Sequence, residues 1–334
     1  MNKESVGKVG IIGSGSWGTA LAKIVLENEE RVNWYFRFGE TVRQFRRYQH
    51  NPSYLTSQLF DTERIDFFTD IPRILDASDT IILVTPSPYI KGIIEKAKRH
   101  QLQSKFLLNA IKGIIPDDYV VISDYLRDTL RVPEEQIGVV SGPTHAEEIA
   151  LGRLSYLTLA CCDKSKAAEL SQLFKTSYTY CHISEDVRGI ELGSVLKNIY
   201  AIASGICQSL RMGDNFQAVL MANAAKEMEY FLSHVSPITR NVYDSVYLGD
   251  LLVTGYSRYS RNRTFGTLIG KGYSAIRAQD EMQMTPEGYY GAKCIHELNK
   301  KYQLDIPIAT SVYDLLYNRR DARDTFIAMS TKLK

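Results

Sequence analysis

The chain has 334 residues, 44% of them hydrophobic and 23% charged, with 40 basic side chains against 38 acidic. A net charge of +2 excludes the broad cationic surface that nucleic acid demands, and the apolar and aromatic content is too high for a disordered chain. No apolar run approaches the roughly 20 residues of a membrane helix. Residues 1–10 lack the apolar segment of a signal peptide, so a soluble, cytoplasmic protein of two domains is expected, without membrane insertion. Cys161, Cys162, Cys181, Cys207 and Cys294 are odd in number and contain no C-x-x-C, and the histidines lack ligand spacing. Neither a disulfide framework nor a metal is expected.

The first half alternates in period. Strands are predicted at 8–12, 31–36, 65–68, 80–84, 105–109 and 137–140, with helices at 19–27, 89–100 and 119–130. Two more strands, 156–161 and 178–182, flank a helix over 163–175. The apolar runs of the first six strands are continuous rather than alternating, as in a parallel sheet covered on both faces. Beyond residue 188 the texture turns helical, at 189–205, 217–234, 237–243 and 285–301, with a helical tail over 309–331. The expected fold is α/β, an N-terminal Rossmann-type doubly wound sheet (1–188) followed by an all-helical domain (189–334).

Gly13-Ser14-Gly15-Ser16-Trp17-Gly18 is G-x-G-x-x-G between a strand and a helix. Such glycines give a tight turn, close backbone approach to a pyrophosphate and close helix packing, and the helix N-terminus favours phosphate. A tight turn without a ligand is the plainer alternative; the strand–turn–helix setting favours a dinucleotide. At the end of the second strand stands Arg37 rather than an acid, with Arg43 and Arg46 on a possible helix and Glu40 late for a ribose contact. That set suits a 2′-phosphate, so NADPH is favoured over NADH.

Further segments along the chain carry candidate chemistry. Lys112 follows a predicted strand end, where open α/β sheets bind ligands. Ser141-Gly142-Pro143-Thr144-His145-Ala146 closes the next strand with small residues. Lys197 lies on a face with Gly193, Ala201 and Ser204, beside an apolar stripe of Leu192, Val195, Leu196, Ile199 and Ile202. A lysine whose ammonium reaches solvent would also fit that position. Ser260-Arg261-Asn262-Arg263 offers two guanidinium forks for an anion, and Asp250 stands alone in an apolar stretch where a helix N-cap is the simplest role.

Together these segments resemble the bacterial, soluble NAD(P)-dependent glycerol-3-phosphate dehydrogenases over nearly the whole chain. The family's GxGS(W/Y)GTALA, SGPTxAxE, LGxxxKN, GDLxxT and SRNRxFG patterns fall in order at residues 13–22, 141–148, 192–198, 249–254 and 260–266. The resemblance implies reversible reduction of dihydroxyacetone phosphate to sn-glycerol 3-phosphate by NADPH or NADH, feeding glycerophospholipid synthesis. It implies Lys197 as general acid/base, Lys112 as a second positive charge near the carbonyl, and Asp250 as the holder of Lys197 and the substrate hydroxyl. Gly142, Thr144, Ser260, Arg261 and Asn262 would join Lys112, Lys197 and Asp250 around the substrate. The cofactor would meet Gly13, Gly15, Ser16, Trp17, Gly18, Arg37, Tyr54, Lys112, Ala146, Arg261, Thr285 and Glu287.

The chain departs from the pattern at Ile111, before Lys112, at Thr285-Pro286, and at Gln217 and Asn223, two commonly basic positions. Lost cations there would weaken phosphate affinity or alter the lysine's pKa. The alternatives are a related dehydrogenase of another small hydroxy or keto acid, and a dinucleotide sensor without catalysis. A homodimer is expected from the helical second half and the 21 tyrosines.

Overall fold

A computed structural model describes residues 6–282 and 286–334. Thr285, expected at the cofactor, lies outside the described residues. The chain divides into two compact units, 1–111 with 122–187, and 112–121 with 188–334. Segment 112–121, which the sequence reading grouped with the first domain, belongs to the second unit.

The first unit holds β1 (Val9–Ile12), α1 (Ser16–Asn28), β2 (Val32–Tyr35), α2 (Gly39–Tyr48), β3 (Ile65–Phe68), α3 (Ile71–Asp76), β4 (Thr80–Leu83), α4 (Ser87–Ile94), α5 (Arg99–Gln103) and β5 (Phe106–Asn109). Segment 112–121 contributes the short antiparallel pair β6 (Ile114–Ile115) and β7 (Val120–Val121). The first unit then resumes with α6 (Ile122–Asp124), β8 (Ile137–Ser141), α7 (Ala146–Ala150), β9 (Ser155–Cys161), α8 (Lys164–Ser171) and β10 (Thr179–Ser184). The eight long strands form one sheet in the order β10-β9-β8-β5-β4-β1-β2-β3. Every pairing is parallel except β8 with β9. β1, β2, β4 and β5 are buried along their whole length, which is why their sequences read as unbroken apolar runs. Neighbouring β1 and β4 place the topological switch point, the ligand crevice of such sheets, beside the glycine turn.

Three sequence expectations change. The 89–100 helix is two, because α4 stops at Ile94 and Gln101 Oε1 accepts the Lys98 N–H to start α5. The 119–130 helix is interrupted: β-branched Val120 and Val121 pair with Ile115 and Ile114, and a π turn, Tyr125–Thr129, follows α6. Residues 237–243 are not helical, since Arg240 donates to Ser236 O and Asn241 accepts the Tyr243 N–H, so side chains take over backbone bonding.

The second unit is built on α9 (Val187–Ser209) and α10 (Gly213–Val235), followed by α11 (Asp250–Tyr256), α12 (Arg261–Gly270), α13 (Ala275–Met282), α14 (Glu287–Tyr302), α15 (Pro307–Tyr317) and α16 (Ala322–Ser330). α9 is buried from Gly189 to Cys207 and so is the core helix of this unit. Gly205 and Gly266 let α9 and α12 cross in backbone contact; a Cβ on Gly205 would lie 2.0 Å from Arg263 O. Among the described residues no helix is long and apolar enough to cross a membrane.

Candidate active site

In the first unit the glycine turn has the shape a dinucleotide requires. Gly13 has φ +135°, and a Cβ there would lie 2.6 Å from Val84 O. A Cβ on Gly18 would lie 2.3 Å from Gly13 O, so α1 packs against the turn as closely as backbone allows. Gly15 is the opposite case: its Cβ would meet nothing within 4 Å. The second glycine thus borders open space at the N-terminus of α1, the cradle that a pyrophosphate would fill. Ser16 and Trp17 begin that helix, and the Trp17 indole N–H donates to Ala110 O at 3.1 Å.

Sequence reading missed Asn51, which is buried and ties the Tyr54 loop to this turn. Its Nδ2 donates to Ser14 O at 2.9 Å and to Thr19 Oγ1 at 2.8 Å, while its Oδ1 accepts the Ser53 and Tyr54 N–H groups. The basic group after β2 separates. Arg43 pairs with Glu40, whose carboxylate it holds below the usual range, and Arg46 lies over the Phe67 ring. Arg37 stacks on Phe38 and forms no ion pair among the described residues. Gly142 (φ +139°) presses on the Tyr156 carbonyl after β8, and the Thr144 hydroxyl donates to Gly142 O at 3.2 Å just before Ala146 opens α7.

The second unit collects the charged chemistry. Lys197 is 4% exposed, so its ammonium does not reach solvent. Its Nζ donates to Asp250 Oδ1 at 2.6 Å and to Thr254 Oγ1 at 3.0 Å. The other Asp250 oxygen takes Lys112 Nζ at 3.3 Å, so one buried carboxylate bridges two lysines. A π turn, Ser245–Gly249, leads into Asp250, and Gly193 on α9 leaves room for its Tyr247 ring, 3.1 Å from where a Cβ would lie. Asp250 does open α11, but its side chain is spent on the lysines rather than on a helix cap.

Thr254 was also missed, although it lies four residues after Asp250 and shares its helix face. Its hydroxyl proton goes to Asp250 O at 2.6 Å, leaving a lone pair for Lys197. The third missed residue, Asn198, donates from Nδ2 to Lys112 O at 2.8 Å and so fixes the second lysine against α9. Burial pulls the Lys197 pKa down and Asp250 holds it up, while the neighbouring Lys112 charge lowers it; the outcome is about 7. An amine balanced there gives or takes a proton near neutrality.

The Ser260 segment forms the N-terminus of α12: Ser260 caps it, accepting the Arg263 N–H at 3.3 Å, and Arg261 and Asn262 are its first two residues. Asn262 Oδ1 accepts the Gly288 N–H at 2.9 Å, next to Glu287 at the start of α14. That bond orients the amide, so its NH2 faces away from the Gly288 N–H. Gly288 in turn lies against Asn198 O, 2.6 Å from where its Cβ would be. The commonly basic positions are spent internally: Gln217 Nε2 donates to Ser204 Oγ, and Asn223 pairs with the Lys334 backbone.

Family comparison agrees with both halves. Residues 8–167 match the model of the NAD-dependent glycerol-3-phosphate dehydrogenase N-terminus, and residues 186–326 that of its C-terminus. The glycerol-3-phosphate dehydrogenase [NAD(P)+] of Syntrophomonas wolfei is 34% identical over 95% of this chain and 92% of its own length. That of Lysinibacillus sphaericus is 31% identical over 98% and 97%. The crystal structure of glycerol-3-phosphate dehydrogenase from Coxiella burnetii matches with a TM-score of 0.87 at 25% identity, covering 97% of this chain and 98% of that one. Motif order, fold and full-length similarity coincide: the chain belongs to the NAD-dependent glycerol-3-phosphate dehydrogenase family.

Proposed function

We propose that this chain reduces dihydroxyacetone phosphate reversibly to sn-glycerol 3-phosphate with NAD(P)H, feeding glycerophospholipid synthesis in the cytoplasm. The observation that carries the residue roles is the buried Asp250 carboxylate bridging Lys197 and Lys112. Two of the three Lys197 N–H bonds are committed, to Asp250 and Thr254, which leaves one for the C2 oxygen. The cofactor, when bound, supplies a hydride to C2 of the substrate. Lys197 in its ammonium form gives its proton to the C2 oxygen, and the neutral amine takes it back in the oxidative direction. Lys112 adds a positive charge that favours negative charge developing on that oxygen. Arg261, the Asn262 amide and Ser260, at the start of α12, take the phosphate, with Gly142 and Thr144 as further substrate contacts.

The glycine turn (Gly13, Gly15, Gly18) with Ser16, Trp17, Tyr54, Ala146 and Glu287 holds the dinucleotide. Arg37, which forms no ion pair among the described residues while Glu40 is engaged by Arg43, supports NADPH as the preferred form. A keto-acid substrate would leave the Ser-Arg-Asn segment without a purpose. A homodimer belongs to the same reading, and light scattering on the purified protein tests it.

The decisive assay follows NADPH oxidation with dihydroxyacetone phosphate, beside ketopantoate. Lys197→Ala is expected to lower turnover by about 10²–10⁴-fold while NADPH affinity is kept. Turnover within a few-fold of the parent, or activity on the keto acid alone, would overturn the assignment.

A further inference from the structure

Helix α11 is held along α9 at two points. Lys197 and Ser204 are seven residues apart on α9, two turns along one face. At the first point Lys197 Nζ meets Asp250 and Thr254. At the second, the buried Ser204 hydroxyl donates to Gly255 O at 2.6 Å. That carbonyl lies in the last turn of α11, where no later helical N–H can reach it, so Ser204 supplies its missing partner. A serine has one proton to give; with that proton on Gly255 O, the oxygen accepts from Gln217 Nε2 on α10 at 2.8 Å. One turn along α10, Met221 fills the space beside Gly255, 2.5 Å from where a Cβ would stand. The last turn of α11 is therefore fixed both by the bulk of Met221 and by a two-bond chain that begins at Gln217.

We propose that Gln217 is a positioning residue for proton transfer at Lys197: through Ser204 it fixes the last turn of α11, and with it the grip of Thr254 and Asp250 on the Lys197 amine. Thr254 immediately precedes Gly255, and its hydroxyl stands 3.0 Å from Nζ. A slip of that turn by about 0.6 Å ends the bond, since contacts near 3.6 Å no longer count as hydrogen bonds. Asp250, four residues back on the same short helix, moves with it. This rests on Lys197 being the proton carrier.

The test uses the full chain with Gln217→Leu, Ser204→Ala, their double variant, and Gln217→Lys, which keeps a donor. The titration of the Lys197 amine, followed by the carbon-13 NMR shift of its Cε in protein carrying labelled lysine, reports the amine without needing turnover or access from solvent. The pH profile of kcat/KM and the NADPH Kd complete the set. In Gln217→Leu the titration midpoint should fall by about half a unit or more, because the Asp250 carboxylate holds the proton on. Its kcat should drop about tenfold with NADPH Kd unchanged, the double variant should be no worse than Ser204→Ala, and Gln217→Lys should recover most of the loss. Should Gln217→Leu not fold, Ser204→Ala carries the same midpoint readout.

An unmoved midpoint with unmoved kcat, a loss confined to thermal stability, or losses that multiply in the double variant would overturn the proposal. If the Lys197 amine of the parent protein titrates near neutrality but the protein does not reduce dihydroxyacetone phosphate, the functional assignment fails, and the titration series still decides the role of Gln217.

Discussion

Asp250→Asn is the sharpest perturbation of the two-lysine site, because it keeps the shape of the side chain and removes only its charge. In the parent the Lys197 amine titrates at about 7, lowered chiefly by burial and held up by Asp250 at 2.6 Å. Losing an opposite charge at that range lowers a lysine by about 1–3 pKa units, to between about 4 and 6. At pH 7 the ammonium share then falls from about half to about a tenth or less, so reduction slows at least about fivefold from protonation alone. Reduction needs the charged form, so kcat/KM for dihydroxyacetone phosphate falls as pH rises through the lysine's pKa, and in the variant that limb moves acid. Oxidation of glycerol 3-phosphate at pH 9 escapes this factor, since the amine is neutral there in both proteins. Steady-state rates in both directions from pH 5 to 9.5 decide the matter. A reductive limb within about half a unit of the parent's would refute Asp250 as the group that holds the proton on Lys197.

Three further outcomes follow from other sites. Arg37→Ala should raise the KM for NADPH about tenfold, the worth of one charge-assisted contact at an exposed site, and leave NADH unchanged; equal effects on both cofactors would remove the 2′-phosphate role. Asn262→Asp keeps the oxygen that accepts from Gly288 but turns a second oxygen, not an NH2, towards the phosphate, so KM for the triose phosphate should rise between about tenfold and a hundredfold. Glu227 is buried on α10, accepting the Ile308 and Ala309 N–H groups at 2.8 and 2.9 Å; burial raises its carboxyl from 4.5 to about 7, against the pull of those bonds. Between those pH values the folded chain keeps a proton that the unfolded chain has lost, so stability declines as pH rises through that window, by about 3 kcal/mol in all. Glu227→Gln should flatten that slope in denaturant titrations, and an unchanged slope would show that another group carries it.

The first half was legible because its signals are local. Fully buried strands read as apolar runs, and the glycine turn follows the first of them. The antiparallel pairing of β8 with β9 was not legible, since an apolar run carries no direction. Side chains that replace backbone hydrogen bonds also escape periodicity, which is why 237–243 read as a helix. In the candidate site Lys197 and Asp250 stood out as single charges in apolar stretches. What joins them did not: Asn198 reaches a carbonyl 86 residues earlier, and Thr254 looks like any helical threonine until Lys197 lies beside it. The roles of Gln217 and Asn223 were hidden for the same reason, as each amide is satisfied by a partner distant in sequence.

Segment 112–121 means that the polypeptide passes between its two units three times, at 111/112, 121/122 and 187/188. The helical unit is therefore not a removable C-terminal piece. A fragment beginning at 188 would carry Lys197 and Asp250 but leave behind Lys112, the backbone carbonyl that Asn198 clasps, and the β6–β7 pair. Exchanging helical units between relatives at a single splice point would likewise pair one parent's Asp250 with the other parent's Lys112. During synthesis the same arrangement imposes an order: residues 112–121 emerge first and must wait for more than 75 further residues before the helix they dock against exists.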